Sequence, residues 1–264
     1  DVLSVGGYVK LDESKDSTKD GTNNGATTGQ TGKIGNALSF DGSNDYVDLP
    51  NSLISNQSQF SFFTWIKSDL SVNQNIFDAR MGTTSDGIRF ILRPTTIDVA
   101  LDSGGSYPAV TTTAHGYSTN TWHYVGFTWD GTSLKMYSDG SQLGSTGTGT
   151  YVAFTSTTDY IGKKYNDTKF FNGIIDESVF YDKALSSSEV SALYNSGSGD
   201  STPDTNGLIA HYDFEQTGST LENQVTIPPT DTKLLGLNDV TFSVGTTSAS
   251  VAQTGSLVTI SLPE

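Results

Sequence analysis

The sequence predicts an all-β protein built as a two-sheet antiparallel sandwich, and three observations carry that prediction. Short runs of alternating apolar and polar residues recur along most of the chain, among them "DYVDL", "FSFFTWI", "IRFIL", "HYVGFTWD" and "LKMYSD". Gly, Asp, Asn and Ser bound these runs at roughly 8 to 12 residue spacing, the turn rhythm of sandwiches and barrels. The 264 residues include 28 Gly, 13 Phe and 12 Tyr, which suits many tight turns around a sizeable core.

Taken in order, "GYVKL" opens the first strand and "DSTKDGTNNG" is read as a loop after it. In "GKIGNALSFDGSNDYVDLP", Ala37, Leu38 and Phe40 suit a strand, "DGSND" its turn, and Tyr46, Val47 and Leu49 the returning strand. Trp65, Trp122 and Trp129 lie in later strands and are read as packing residues. One helix is expected in "ALSSSEVSALYNSG": Ser186 and Glu189 have capping-box spacing, Val190, Leu193 and Tyr194 share a face, and Gly197 can close the end.

The stretch "SGSGDSTPDTN" is small, polar or proline and reads as a linker. The expected organisation is therefore a main domain over 1–197, a linker over 198–206, and a small C-terminal β segment over 207–264. Within that segment "HYDFE" can be laid over "YVKLDE", pairing Tyr212 with Val9 and Phe214 with Leu11. A cysteine-free segment of this size is marginal alone, so its strands are expected to pack on the main domain or on a neighbouring subunit.

Fourteen basic against 29 acidic residues give a net charge of −15, which repels phosphate backbones and anionic headgroups, so neither nucleic acid nor membrane insertion is expected. Without cysteine there is no disulfide and no thiolate chemistry. No apolar run approaches the ~20 residues of a membrane span. "DVLSVGGY" lacks the charged-then-apolar pattern of a leader, so an exported form would begin after cleavage.

Five stretches together are similar to the laminin G-like members of the concanavalin A-like jelly-roll superfamily, relatives of the pentraxins. They are "YVKLDESKDSTKDGTNNGATTG", "GKIGNALSFDGSNDYVDLP", "FSFFTWIKSD", "WHYVGFTWDGTSLKMYSDG" and "FNGIIDESVFYDKALSSSEVSALYN", covering about residues 6 to 195 in the family's order. The resemblance implies a jelly roll whose first and last strands are adjacent, an extracellular or cell-surface setting, and a glycan or surface protein as ligand. It also implies calcium, joining the loop after the first strand to acids near the last. The matching positions are Asp16, Asp20, Asn23, Asn24, Asp41, Asp176 and Glu177. Asx-turns account equally well for the loop residues, and strand alternation puts Asp176 and Glu177 on opposite faces.

For sugar binding the candidates are Arg80, Tyr107, Tyr117 and Tyr165, all expected in loops, where aromatic faces and polar groups meet a ligand. Asn56-Gln57-Ser58 and Asn166-Asp167-Thr168 have the form of glycosylation acceptors. No Glu-x-Asp-x-Glu type segment is present, the kind of paired-carboxylate strand a glucanase on this fold would need. His115, His123 and His211 are isolated in sequence.

The expectation is a non-enzymatic domain for adhesion or carbohydrate recognition, stabilised by calcium. Two alternatives stay open. One is a structural subunit of a filament or lattice, self-associating by strand addition through residues 207–264. The other is a glycoside hydrolase or lyase on the same fold.

Overall fold

The computed structural model describes residues 14–81, 87–103, 106–166, 168–227, 250–254 and 257–261. The strands are β1 Ser14–Lys15, β2 Gly21–Asn24, β3 Thr27–Thr31, β4 Asn36–Asp41, β5 Tyr46–Leu49, β6 Phe60–Ser68 and β7 Gln74–Arg80. There follow β8 Gly87–Leu92, β9 Thr96–Ser103, β10 Ser106–Ala114, β11 Trp122–Trp129, β12 Ser133–Ser138, β13 Ser141–Gln142 and β14 Gly147–Thr148. The last are β15 Thr158–Ile161, β16 Asn172–Tyr181, β17 Leu208–Tyr212, β18 Thr220–Leu221, β19 Thr226–Ile227, β20 Ser250–Thr254 and β21 Leu257–Ser261. Helix α1 spans Ser187–Tyr194.

The chain divides into two units, one of residues 1–16 with 226–264, the other Ser17–Val225. In the first, β1 pairs antiparallel with β19 and β20 with β21. The second is a sandwich of two antiparallel sheets, as the alternating runs predict. One sheet has the order β10-β9-β8-β7-β15-β5-β2-β18; the other has the order β13-β12-β11-β6-β16-β4-β3, with β17 on β16 and β14 on β12. The first and last strands of this unit are adjacent, Leu221 opposite Gly21 and Thr220 opposite Thr22.

The 198–206 segment therefore lies inside the sandwich unit, and the unit ends at Val225. Composition alone hides this because β17 is a strand of only five residues. It lies against the second half of β16, with Ser178 opposite Tyr212 and Val179 opposite His211. The first half of β16 lies against β4, Ile175 opposite Leu38.

Alternation dictates the core. Phe62, Phe77, Phe90, Val99, Phe127 and Phe180 point between the sheets and are fully buried. At roughly 25 cal/mol per Å² of apolar surface, such burial is the main drive for closing the two layers. A second apolar cluster lies on the outer face of the β6-containing sheet: Phe63, Trp65, Tyr124, Tyr137, Val179 and Tyr181, capped by Val190 and Leu193 of α1. Trp65 is buried here, under Tyr194, with stacked rings 5.7 Å apart. Trp129 belongs to the inner core, whereas Trp122 is only partly buried. The capping box of Ser186 and Glu189 forms, but the helix closes on Asn195 in the left-handed conformation (φ 47°) rather than on Gly197.

Candidate functional site

The residues matched to a calcium site are each engaged separately. Asp16 belongs to the unit of residues 1–16 with 226–264. Asp20 accepts the Asn223 N–H at 2.9 Å, Asn23 donates to the Ala26 carbonyl, and Asn24 donates to the Thr22 carbonyl. Asp41 forms an Asx-turn, accepting the Ser43 N–H at 2.8 Å. It stands opposite Asn172, four residues along β16 from Asp176, about 13 Å at strand rise. Asp45, not Asp41, packs against the Asp20–Gly25 segment, where a Cβ at Gly25 would strike its carboxylate.

Asp176 is fully buried and accepts three backbone N–H groups, those of Lys33 at 2.7 Å, Ile34 at 3.0 Å and Glu177 at 2.9 Å. Its role follows from the sheet: β16 passes from β4 to β17 here, and its carboxylate takes up the N–H groups at the start of the β4 hairpin. Burial nevertheless pushes its pKa up to about 8. Glu177 sits at φ 49° in a bulge where Glu177 and Ser178 together oppose Thr64. That bulge breaks the alternation, so Asp176 and Glu177 do not take opposite faces. Glu177 instead meets His211 of β17, Oε2 to Nε2 2.5 Å, in a buried pair. Among the described residues no group of three or more His, Asp or Glu side chains could hold a metal ion. The proposed donors do not fit a cation needing six to eight converging oxygens.

The sugar candidates separate differently. Tyr107 falls in β10, and its side chain lies outside the described residues. Tyr117 is stacked between His115 and His123, with ring centres 4.2 and 3.9 Å away, and donates to Ser138. Burial pushes its phenol pKa well up, and the ring packs, partly buried, against the inner core. These contacts also join two histidines that are isolated in sequence. The Tyr117 N–H donates to Nδ1 of His115, so Nε2 carries the proton and donates to the Arg93 carbonyl.

Arg80 and Tyr165 come together, the guanidinium 5.1 Å from the ring centre. They lie on the outer face of the eight-stranded sheet. Pairing register builds a row straight across that face: Thr22, Asp48, Tyr160, Asp78, Arg89 and Ala100. The alternate residues Val47, Ile161, Phe77, Ile88 and Val99 point into the core. Beside the row, Arg80 lies opposite Gly87, which leaves room for it: a Cβ there would strike Arg80 Cδ and the Ala79 carbonyl. Arg80 Nε donates to Asp78 at 3.1 Å, and both are buried.

A hairpin held by the Lys163–Phe170 bridge crosses this face. It carries Tyr165 onto Arg80, and its Tyr165 N–H bonds to Asp78. Burial raises the Asp78 pKa, opposed by Arg80 and that N–H. Lys163 lies over two aromatic faces, Tyr46 at 4.0 Å and Tyr160 at 4.5 Å. Next to Tyr160, a polar groove of about 310 Å³ is lined by Asp20, Thr22, Asp48, Asn51 and Thr157. The sequence signal for this face was the i, i+2 spacing of Asp78 and Arg80, which puts both on one side of a strand. Tyr160, Lys163 and Arg89 were missed because only register assembles them.

Residues 41–191 match the concanavalin A-like lectin/glucanases superfamily, and the chain belongs to it. The particular family within it is laminin G-like family 3. No curated protein matches the chain.

Among solved structures it is similar to domain 4 of AbnA, a GH43 extracellular arabinanase from Geobacillus stearothermophilus, in complex with arabinotriose. That match has 20% identity over 64% of this chain and 81% of the other, with TM-score 0.52. It is also similar to the botulinum neurotoxin serotype G binding domain, at 14% identity over 66% and 45% of the two chains, TM-score 0.52. A third is the binding domain of botulinum neurotoxin DC in complex with rat synaptotagmin II, at 15% identity over 67% and 46%, TM-score 0.50. The chain spans less than half the length of these toxin domains. The likenesses are of fold.

Proposed function

We propose that this protein is a non-catalytic carbohydrate-recognition module working outside the cell, with its site on the outer face of the eight-stranded sheet. The observation that carries the reading is the contrast between the two outer faces. One is sealed by α1 over an apolar cluster. The other presents Tyr160, Asp48 and Thr22 beside a polar groove, with Tyr165 above. Aromatic faces can stack on the apolar side of a sugar ring while carboxylate and hydroxyl groups take its hydroxyls. Support also comes from the arabinotriose complex of a protein with the same fold, as analogy only.

The face is not arranged for glycoside hydrolysis. Asp78, its central carboxylate, is fully buried, paired with Arg80 and held by the Tyr165 N–H, so it cannot meet a glycosidic oxygen. A glycan array tests the reading, with Tyr160→Ala and Tyr165→Ala as variants. Binding lost in both supports this face. Binding retained in both moves the site elsewhere, and a blank array removes carbohydrate recognition.

A further inference from the structure

The chain carries net charge −15, yet its basic residues are not scattered. All three of its arginines, Arg80, Arg89 and Arg93, come from one 14-residue stretch. Arg80 and Arg89 are on the outer face of the eight-stranded sheet, and Arg93 joins them through an ion pair with Asp98 of β9, Nε to Oδ2 2.6 Å. The crossing hairpin adds Lys163, Lys164 and Lys169. Six of the chain's 14 basic side chains thus converge on a single face. Facing them, among the described residues, are four carboxylates: Asp48, Asp78, Asp98 and Asp102.

These carboxylates are unevenly placed. Asp78, Asp98 and Asp102 are buried beneath the arginines, and Asp78 and Asp98 fix the Arg80 and Arg93 guanidinium groups. Arg89, Arg93, Lys164 and Lys169 are all partly exposed above them. The exposed layer is therefore cationic, and the buried layer beneath it anionic. Lys164 and Lys169 are both held below the ordinary lysine range, by burial first and then by neighbouring Arg89 together with Arg80 or Arg93, against partial compensation from Asp78 or Asp98. A bound anion would supply the charge these ammonium groups lack.

We infer that the carbohydrate recognised on this face is an acidic one, a glycan bearing carboxylate or sulfate groups, with Lys164, Lys169 and Arg93 taking the anion. The inference rests on the carbohydrate-recognition reading above and narrows it. Charge complementarity carries it: on a surface that otherwise repels anions, this face alone among the described regions gathers the guanidinium groups, whose planar fork matches carboxylate and sulfate. Tyr165 and Tyr160 supply faces for the sugar rings, and Asp48 with the groove takes neutral hydroxyls beyond the anion.

The test is titration calorimetry of the whole chain with four polymers: polygalacturonate and its carboxyl-reduced galactan, and chondroitin sulfate and its desulfated, carboxyl-reduced form. The expected result is that one or both acidic polymers bind at least roughly tenfold more tightly than their neutral partners. That preference should shrink as salt is raised, because exposed charges are screened. Tight binding of polygalacturonate assigns carboxylate as the group recognised, and binding of chondroitin sulfate that is lost on desulfation with its carboxylates kept, measured as a further arm, assigns sulfate.

Lys164→Gln with Lys169→Gln should lose about tenfold for the acidic polymer, with the melting temperature checking the fold and each single substitution as a second measure. Neutral polymers bound as tightly as the acidic ones would overturn the acidic class while leaving carbohydrate recognition standing. Acidic binding untouched by the lysine variants would overturn the site. If no polymer binds and a broad glycan array is also blank, both readings fall.

Discussion

At the scale of single residues, burial of ionisable groups makes the stability of this protein fall toward alkaline pH. Asp159 points between the sheets, fully buried among Ser52, Leu53 and Ser156, and burial pushes its pKa up to about 7. Asp176 is pushed up to about 8. A carboxylate whose folded pKa lies above its unfolded value holds its proton more tightly when folded. Its stabilisation is complete below about pH 4 and is lost as pH rises through 7 to 8. The melting temperature should therefore fall between about pH 5 and pH 8, and Asp159→Asn should flatten that fall; an unchanged slope in the variant would remove the assignment. The Glu177–His211 pair supplies a second case. His211→Ala leaves a buried carboxylate without its partner and should cost about 3 kcal/mol at pH 8. The deficit should shrink toward pH 5 as Glu177 takes a proton, which denaturant unfolding at the two pH values measures.

At the scale of elements, short devices hold the parts that position the site. Ser186 and Glu189 close the start of α1 on each other, with the Ser186 N–H to Glu189 Oε2 at 2.7 Å. Ser186→Ala should cost about 1 kcal/mol, which is a melting shift of about 2–4 °C in a unit of this size. Ligand binding on the opposite sheet should not change. Gly87→Ala should do the reverse damage: its Cβ forces Arg80 off the sheet, so the hairpin bearing Tyr165 loses its seat and glycan affinity falls further than the melting temperature predicts.

Most strands were legible because alternation and turn residues are local signals, as in the β4 and β5 hairpin. The α1 cap was legible for the same reason. The bulge at Glu177 was not, since two adjacent acids inside an apolar strand look like ordinary alternation. It becomes intelligible only when β4 and β17 are seen sharing one neighbour. The candidate site was half legible: Arg80 and Tyr165 were picked out separately, but the turn that lays one on the other is fixed by the Lys163–Phe170 bridge.

At the scale of the molecule, the sandwich unit should stand alone. Chain ending after Val225 keeps β17 and β18 and should melt cooperatively near the full-length temperature. Chain ending after Asn206 exposes Val179 and Phe180 along β16 and should unfold well below it or aggregate. Because Asp20, Asp41, Asp176 and Glu177 accept from backbone or histidine donors in separate places, chelator should leave the melting temperature unmoved; a clear drop, restored by calcium, would reveal a site these contacts do not describe.

The pairing of Thr22 with Thr220 and Gly21 with Leu221 also has a mechanical side. The chain enters the unit before Gly21 and leaves it after Leu221, on the same side of two antiparallel strands. Tension across these two ends would peel their hydrogen bonds apart one after another instead of shearing them together. Such a joint yields at low force, so the fold suits a module held out to meet a ligand better than a link in a fibre under pull.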